Sequence, residues 1–194
     1  IGRRVTGAHP DNRLANTGAE PLGGEGGAPQ RRTQVLVDVH GERPQRRDVH
    51  DPGAAMFGGV AGHAGLFSNA HDLAVLTQLM LNEGMIKGIR FFKPETVRYF
   101  TAYNSQISRR GLGFDKPEKD NYLRPEPYPA VSVSPDTYGH TGFTGTCWWV
   151  DPKENLVFIF LSNRVNATGA NFNKLGQMNV RGKVHEAIYK ALGN

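Results

Sequence analysis

"TCWWVDPKENLVFIFLSN", residues 146–163, consists of two apolar runs joined by a short polar link. Trp, Val, Phe and Ile suit a pleated, half-buried surface, and "PKEN" has the composition of a turn, with Asn155 in it. The stretch therefore predicts an antiparallel hairpin. The second run is apolar on both of its faces, so it is expected in the middle of a sheet. Just upstream, "YGHTGFTG" (138–145) predicts another strand, Tyr138 to Thr141, at the sheet edge. Its glycines are unexpected there, because glycine weakens a strand and marks a bulge or a close approach to the backbone.

Outward from the hairpin, the apolar spacing changes to that of helices. "NAHDLAVLTQLMLNEG" follows Ser68, a candidate N-cap, and puts Leu73, Leu76, Leu79 and Met80 on one face before Gly84 stops it. Asp72 falls in the first turn, where it favours the helix dipole. A short helix is expected from Pro94 to about Phe100, with proline at an early position. The chain should end in a helix from about Asn173 to Leu192. Its buried stripe would be Val184, Ile188, Ala191 and Leu192, with Lys183, Glu186 and Lys190 in water. "RRGLGFD" (109–115) reads as a strand entry, 116–136 as a proline-rich loop, and the glycine-rich "DPGAAMFGGVAGHAGLFS" (51–68) as too irregular for a helix. The expected class is α+β, an α/β/α sandwich in which helices flank an antiparallel sheet.

Composition divides the chain near residue 48. Residues 1–47 hold eight of the fifteen Arg and none of the eight Lys, and no Phe, Trp or Tyr occurs before Phe57. Such a segment buries too little apolar surface to offset the entropy of ordering, although "QVLVDVH" (34–40) has strand character. A flexible tail would account for this, and so would a segment translated out of its native frame; the abruptness of the change favours the second. The expected division is therefore 1–47, disordered or anomalous, and 48–194, globular.

The net charge of +5 is scattered, with no stripe of basic residues interleaved with aromatics, so no nucleic-acid partner is expected. No apolar run approaches the roughly 20 residues that span a bilayer, and no signal peptide is visible. The single cysteine, Cys147, excludes an internal disulfide, and its strand position suggests a buried small residue. His50, Asp51 and His63 lack the fixed spacing of metal ligands, so no metal and no cofactor is expected. Asp51 before Pro52 instead suggests a carboxylate accepting backbone N–H groups.

The residues with most chemical promise are His140, Thr141, Gly142 and Phe143. On an edge strand, His140 and Thr141 could present donors to a carboxylate or carbonyl. Gly142 could let an acyl group lie against the backbone, and the Phe143 N–H could point at a developing oxyanion. Composition alone leaves open that His140 is an ordinary strand histidine and that the glycines only permit a bulge.

Three separated stretches, "HDPGAAMFGGVAGHAGLFSNAHDLA", "GLGFD" and "YGHTGFTGTCWWVDPKENLVFIFLSNRV", together resemble the serine β-lactamase and penicillin-binding-protein-like hydrolases over about residues 48–192. The nearest branch is that of class C-like esterases and D-amino-acid peptidases, bacterial proteins sometimes fused to glycoside hydrolases. The resemblance implies that His140, Thr141 and Gly142 stand for the Lys-Thr-Gly motif of the substrate-binding strand, with His for Lys, and that Phe143 supplies an oxyanion N–H. It makes Ser68 a structural cap. The substrate would be a small ester or amide, or a peptidoglycan-derived peptide, and the compartment extracytoplasmic.

The family's nucleophile sits in Ser-x-x-Lys, and no such pattern occurs in these 194 residues. The second element, Tyr-x-Asn or Ser-x-Asn, is also missing, and Tyr103-Asn104-Ser105 matches neither its pattern nor its place. The chain is thus expected to be the C-terminal part of such a hydrolase, incomplete in fold and inactive alone. A non-catalytic binding module, or one half of a split or fused enzyme, are the alternatives. Sheet surface left uncovered in an incomplete fold would promote self-association.

Overall fold

The computed structural model describes residues 3–7, 49–166 and 173–193. In chain order the strands are β1 (Arg3–Gly7), β2 (Met85–Ile86), β3 (Ile89–Arg90), β4 (Tyr138–Thr141), β5 (Cys147–Asp151) and β6 (Leu156–Phe160). The helices are α1 (Pro52–Met56), α2 (Ala70–Leu81), α3 (Pro94–Thr101), α4 (Lys174–Gln177) and α5 (Val180–Leu192). Contacts group Ile1–Ala8 with Ala70–Asn194 in one unit and His9–Asn69 in another.

The larger unit is built on the predicted hairpin. β5 and β6 pair antiparallel with Trp149 opposite Phe158, and Asn155 takes the left-handed conformation (φ 49°) that the tight turn needs. The sheet order is β1-β6-β5-β4, so β6 is interior and β4 lies at an edge. β1, which the sequence did not lead us to expect, joins β6 in parallel, making the sheet mixed. The strand expected at 34–40 lies outside the described residues.

Side-chain alternation sends the two faces of the sheet into two cores. Cys147, Trp149, Leu156 and Phe158 pack with Ile188 and Tyr189 of α5 on one face. Tyr138, Val150, Val157 and Ile159 pack with Ala74 of α2 on the other. Burial of each of the larger apolar side chains contributes roughly 1.5–3 kcal/mol, which makes these layers the main stabilising element. The helix–sheet–helix layering is the expected α+β sandwich.

Helix faces differ from expectation in detail. In α2 the small residues Ala74 and Thr77 turn inward and Leu76 is half exposed, because Thr77 satisfies its own hydroxyl on the Leu73 carbonyl at 2.7 Å. The final helix is broken at Asn179, which adopts a left-handed conformation (φ 47°) between α4 and α5. The inward face of α5 is Gly182, His185, Ile188 and Tyr189, while Ala191 is exposed. A side chain at residue 182 would meet the Pro129 carbonyl, and Tyr189 is drawn inward to donate to the buried Asp151 carboxylate at 2.6 Å. Glu186 is not free in water: it accepts from the Ser132 N–H and hydroxyl, both at 2.9 Å. "RRGLGFD" forms no strand, only a bridge in which Asp115 and Gly139 exchange backbone bonds of 2.7 and 3.0 Å. Cys147 is buried, and burial pushes its thiol up to about 12.

In the other unit, residues 52–56 do form a helix, contrary to the irregular loop expected. The Asp51 carboxylate caps it by accepting from the Ala54 N–H at 2.7 Å, and Pro52 supplies a preformed first turn. The His63 Nε2–H donates to the same Asp51 oxygen at 2.9 Å. Ala61 and Ala64 exchange backbone bonds across "AGHA", closing a tight turn.

Candidate functional site on the edge strand

β4 presents His140 and Thr141 on opposite sides of the strand, both partly accessible. The two hydrogen bonds of His140 fix its tautomer. Arg110 Nη1 lies 3.0 Å from Nε2, and a guanidinium only donates, so Nε2 is the acceptor. Nδ1 lies 2.7 Å from the Thr141 carbonyl and must therefore carry the hydrogen. The arrangement is that of an Nδ1–H tautomer whose Nε2 lone pair accepts from Arg110. Arg110 is exposed and makes no ion pair among the described residues, so a positive group is left at the strand's outer end.

Thr141 ends a chain of side chains reaching back into the fold. Arg109 grips Asp115 through Nε–Oδ1 (2.9 Å) and Nη2–Oδ2 (3.2 Å), and pairs with Glu118 at 2.9 Å. The Tyr128 hydroxyl donates to Asp115 Oδ2 at 2.8 Å, and its oxygen lies 3.4 Å from Thr141 Oγ1. The Tyr128 ring lies under the Arg109 guanidinium at 4.5 Å and edge-on to Trp149 at 5.5 Å. Burial, with a further upward push from the Asp115 charge, raises the Tyr128 phenol to about 12.

Beyond Thr141 the chain turns tightly. Gly142 N–H donates to the Thr146 carbonyl at 2.8 Å and Gly145 N–H to the Gly142 carbonyl at 3.0 Å. Two arginines clamp this turn. Arg181 of α5 donates to the Gly142 and Thr146 carbonyls at 3.3 and 3.1 Å. Arg164 donates to the Phe143 carbonyl and stacks its guanidinium 4.4 Å from the ring centre. Phe143 is mostly exposed.

The glycines have internal reasons. A Cβ on Gly139 would collide with the Trp148 carbonyl and the Trp149 ring. One on Gly142 would collide with the Thr146 side chain, and one on Gly145, whose φ is +102°, with Ser162.

The structure brings His140, Thr141, Gly142 and Phe143 together at one end of the sheet edge and surrounds them with Arg110, Arg164, Arg181 and Tyr128, none of which the sequence singled out. "RRGLGFD" carried one signal, an arginine pair beside an acid. Tyr128 carried none, because its partners are 13 positions away on either side and the proline-rich segment hides them.

Two other groups have structural explanations. Tyr103 donates to the Pro117 carbonyl at 3.0 Å, and Asn104 to the Tyr99 and Ala102 carbonyls. Lys116 is buried and donates to the Thr137 carbonyl at 3.2 Å, and burial lowers its ammonium to about 8. Among the described residues no group of three or more His, Cys, Asp or Glu could hold a metal ion, and no helix is long and apolar enough to cross a membrane.

A family model described as Beta-lactamase matches residues 6–178. Among curated proteins, one from Salmonella enteritidis PT4 named "Putative D-alanyl-D-alanine carboxypeptidase" is 39% identical over 142 residues, which is 73% of this chain and 32% of the relative. Proteins of the same name from Salmonella paratyphi B and Salmonella newport match at the same identity and coverage. The chain thus spans about a third of the length of the curated relatives it matches.

Proposed function

Because the chain belongs to the β-lactamase family, we propose that it contributes the substrate-binding wall of an acyl-transfer site acting on peptides that end in D-alanine. The observation that carries this reading is the placement of His140 and Thr141 at the end of an edge strand, with Gly142 next in the chain and with Arg110, which makes no ion pair among the described residues, bonded to His140. An acyl group laid along β4 would have its carbonyl near Phe143 and its terminal carboxylate within the positive field of Arg110. The names of the Salmonella relatives support a D-alanyl-D-alanine substrate; a cell-wall peptide would place the protein outside the cytoplasm.

The chemistry needs a serine whose proton passes to a neighbouring base as its oxygen attacks the acyl carbon. None of the six serines here lies three residues before a lysine. We therefore assign the nucleophile to a segment outside these residues. This chain alone should give no turnover of nitrocefin or p-nitrophenyl acetate above the uncatalysed rate. Turnover that disappears when one of its own serines is replaced by alanine would contradict the assignment. Retention of ligand binding without any complementing nucleophile would favour a binding module.

A further inference from the structure

We propose that Tyr128, held by Asp115, is a positioning residue that fixes the direction of the Thr141 hydroxyl, so that Thr141 offers lone pairs rather than a hydrogen to whatever lies along β4. This goes beyond the assignment of Thr141 to a binding strand, and rests on that reading only for what the hydroxyl would meet.

The direction follows from counting hydrogens. Both Asp115 oxygens are engaged by Arg109, and the carboxylate can only accept. Tyr128 has one hydroxyl hydrogen, and its 2.8 Å bond to Asp115 Oδ2 uses it. The Tyr128 oxygen can therefore only accept from Thr141, and the Thr141 hydrogen points back into the protein. His140 is in the same condition, since its one N–H is directed at the Thr141 carbonyl. Neither side chain of the pair has a hydrogen left for a ligand carboxylate, contrary to the donor pair expected from the sequence. Arg110, bonded to His140, is then a side chain on this edge able to donate to an anion, and Thr141 is suited to a ligand N–H.

The relay is built into the fold. Asp115 is fixed by its backbone bridge to Gly139, two residues before Thr141 on the same strand. The Tyr128 ring is held between Arg109 and Trp149. Its backbone N–H donates to Asn121 Oδ1 at 2.7 Å, which anchors the main chain that carries the ring.

The test needs no ligand. With 3,5-difluorotyrosine at position 128 of the full chain, the phenol titrates in an accessible pH range and is read by 19F NMR. If Thr141 donates to the phenol oxygen, that bond favours the phenolate. Thr141→Val should then raise the midpoint by roughly 0.4 pH unit, the lower end for a hydrogen bond, because this one is long at 3.4 Å. Thr141→Ser should restore it. Asp115→Asn should lower the midpoint, since it removes the anion that holds the proton. A merely structural Tyr128 would show the same midpoint in the Val and Ser variants. An unmoved or lowered midpoint in Thr141→Val, with the fold intact by circular dichroism, would overturn the proposal. Failure of a peptide to bind β4 would overturn the proposed function and leave this midpoint where it is.

Discussion

At Gly139 a methyl group would have to share space with the Trp148 carbonyl oxygen and the Trp149 ring, both held in the sheet. At Gly142 the obstacle is the Thr146 hydroxyl, which can rotate away. The two glycines look alike in the sequence, yet their substitutions should differ. Gly139→Ala should cost about 3 kcal/mol, the upper range for overpacking, and Gly142→Ala ~1 kcal/mol. Urea denaturation monitored by Trp fluorescence gives both, and equal losses would show that the backbone obstacle at Gly139 yields as readily as a side chain. The sequence marked these positions as special without saying why, because a glycine records that a side chain is excluded and not what excludes it. His140 and Thr141 were found because they stand between those glycines, in the place of the Lys-Thr-Gly motif that the resemblance implies. The tautomer of one and the hydroxyl direction of the other depend on Arg110, Tyr128 and Asp115, which local pattern does not connect to them.

At the scale of elements, β5, β6 and their turn were legible because alternation and a left-handed asparagine are local properties. The face of α5 was not, because it is set by what it packs against. His185 illustrates this: it stacks on Phe158 with ring centres 4.3 Å apart, and its buried Nδ1 has no hydrogen-bond partner among the described residues. Burial holds its imidazole down to about 3, against an ordinary value of 6.5, with the Asp151 charge opposing. The unfolded chain therefore binds a proton between those values that the folded chain does not. The corresponding stability is fully present above pH 6.5 and lost as pH falls toward about 3. Asp151 would by burial alone titrate high, but bonds from Ser134 and Tyr189 bring it below its ordinary value of 3.8, so its contribution is lost only as pH falls below that ordinary value. Between pH 7 and about 4.5 the decline should belong mainly to His185. His185→Phe should flatten it, as read from urea midpoints at the two pH values. An unchanged slope would contradict the assignment. Tyr189→Phe leaves the buried carboxylate one donor short and should cost about 1–3 kcal/mol.

At the scale of the whole molecule, the expected exposure of apolar sheet surface is not what the described residues show, since α2 and α5 cover opposite faces. Among the exposed apolar side chains of the described residues, Ile89, Phe91, Phe92, Tyr99 and Phe100 fall close together in the chain, from β3 to α3. Exposed apolar surface favours association. Sedimentation should show a concentration-dependent oligomer that Phe91→Ser with Phe92→Ser weakens; an equally associated variant would place the contact elsewhere. The layered architecture was readable from periodicity, whereas the membership of the site was not, because its arginines arrive from a loop, from the segment after β6 and from α5. The central claim is that β4 is a ligand-binding wall without its own nucleophile. It is tested most directly by titrating the 15N-labelled chain with N-acetyl-D-Ala-D-Ala and following amide shifts by NMR. We predict saturable shifts centred on residues 140–143 and Arg110, with the peptide recovered intact. Shifts that avoid β4, or a peptide cleaved by the chain alone, would contradict the account.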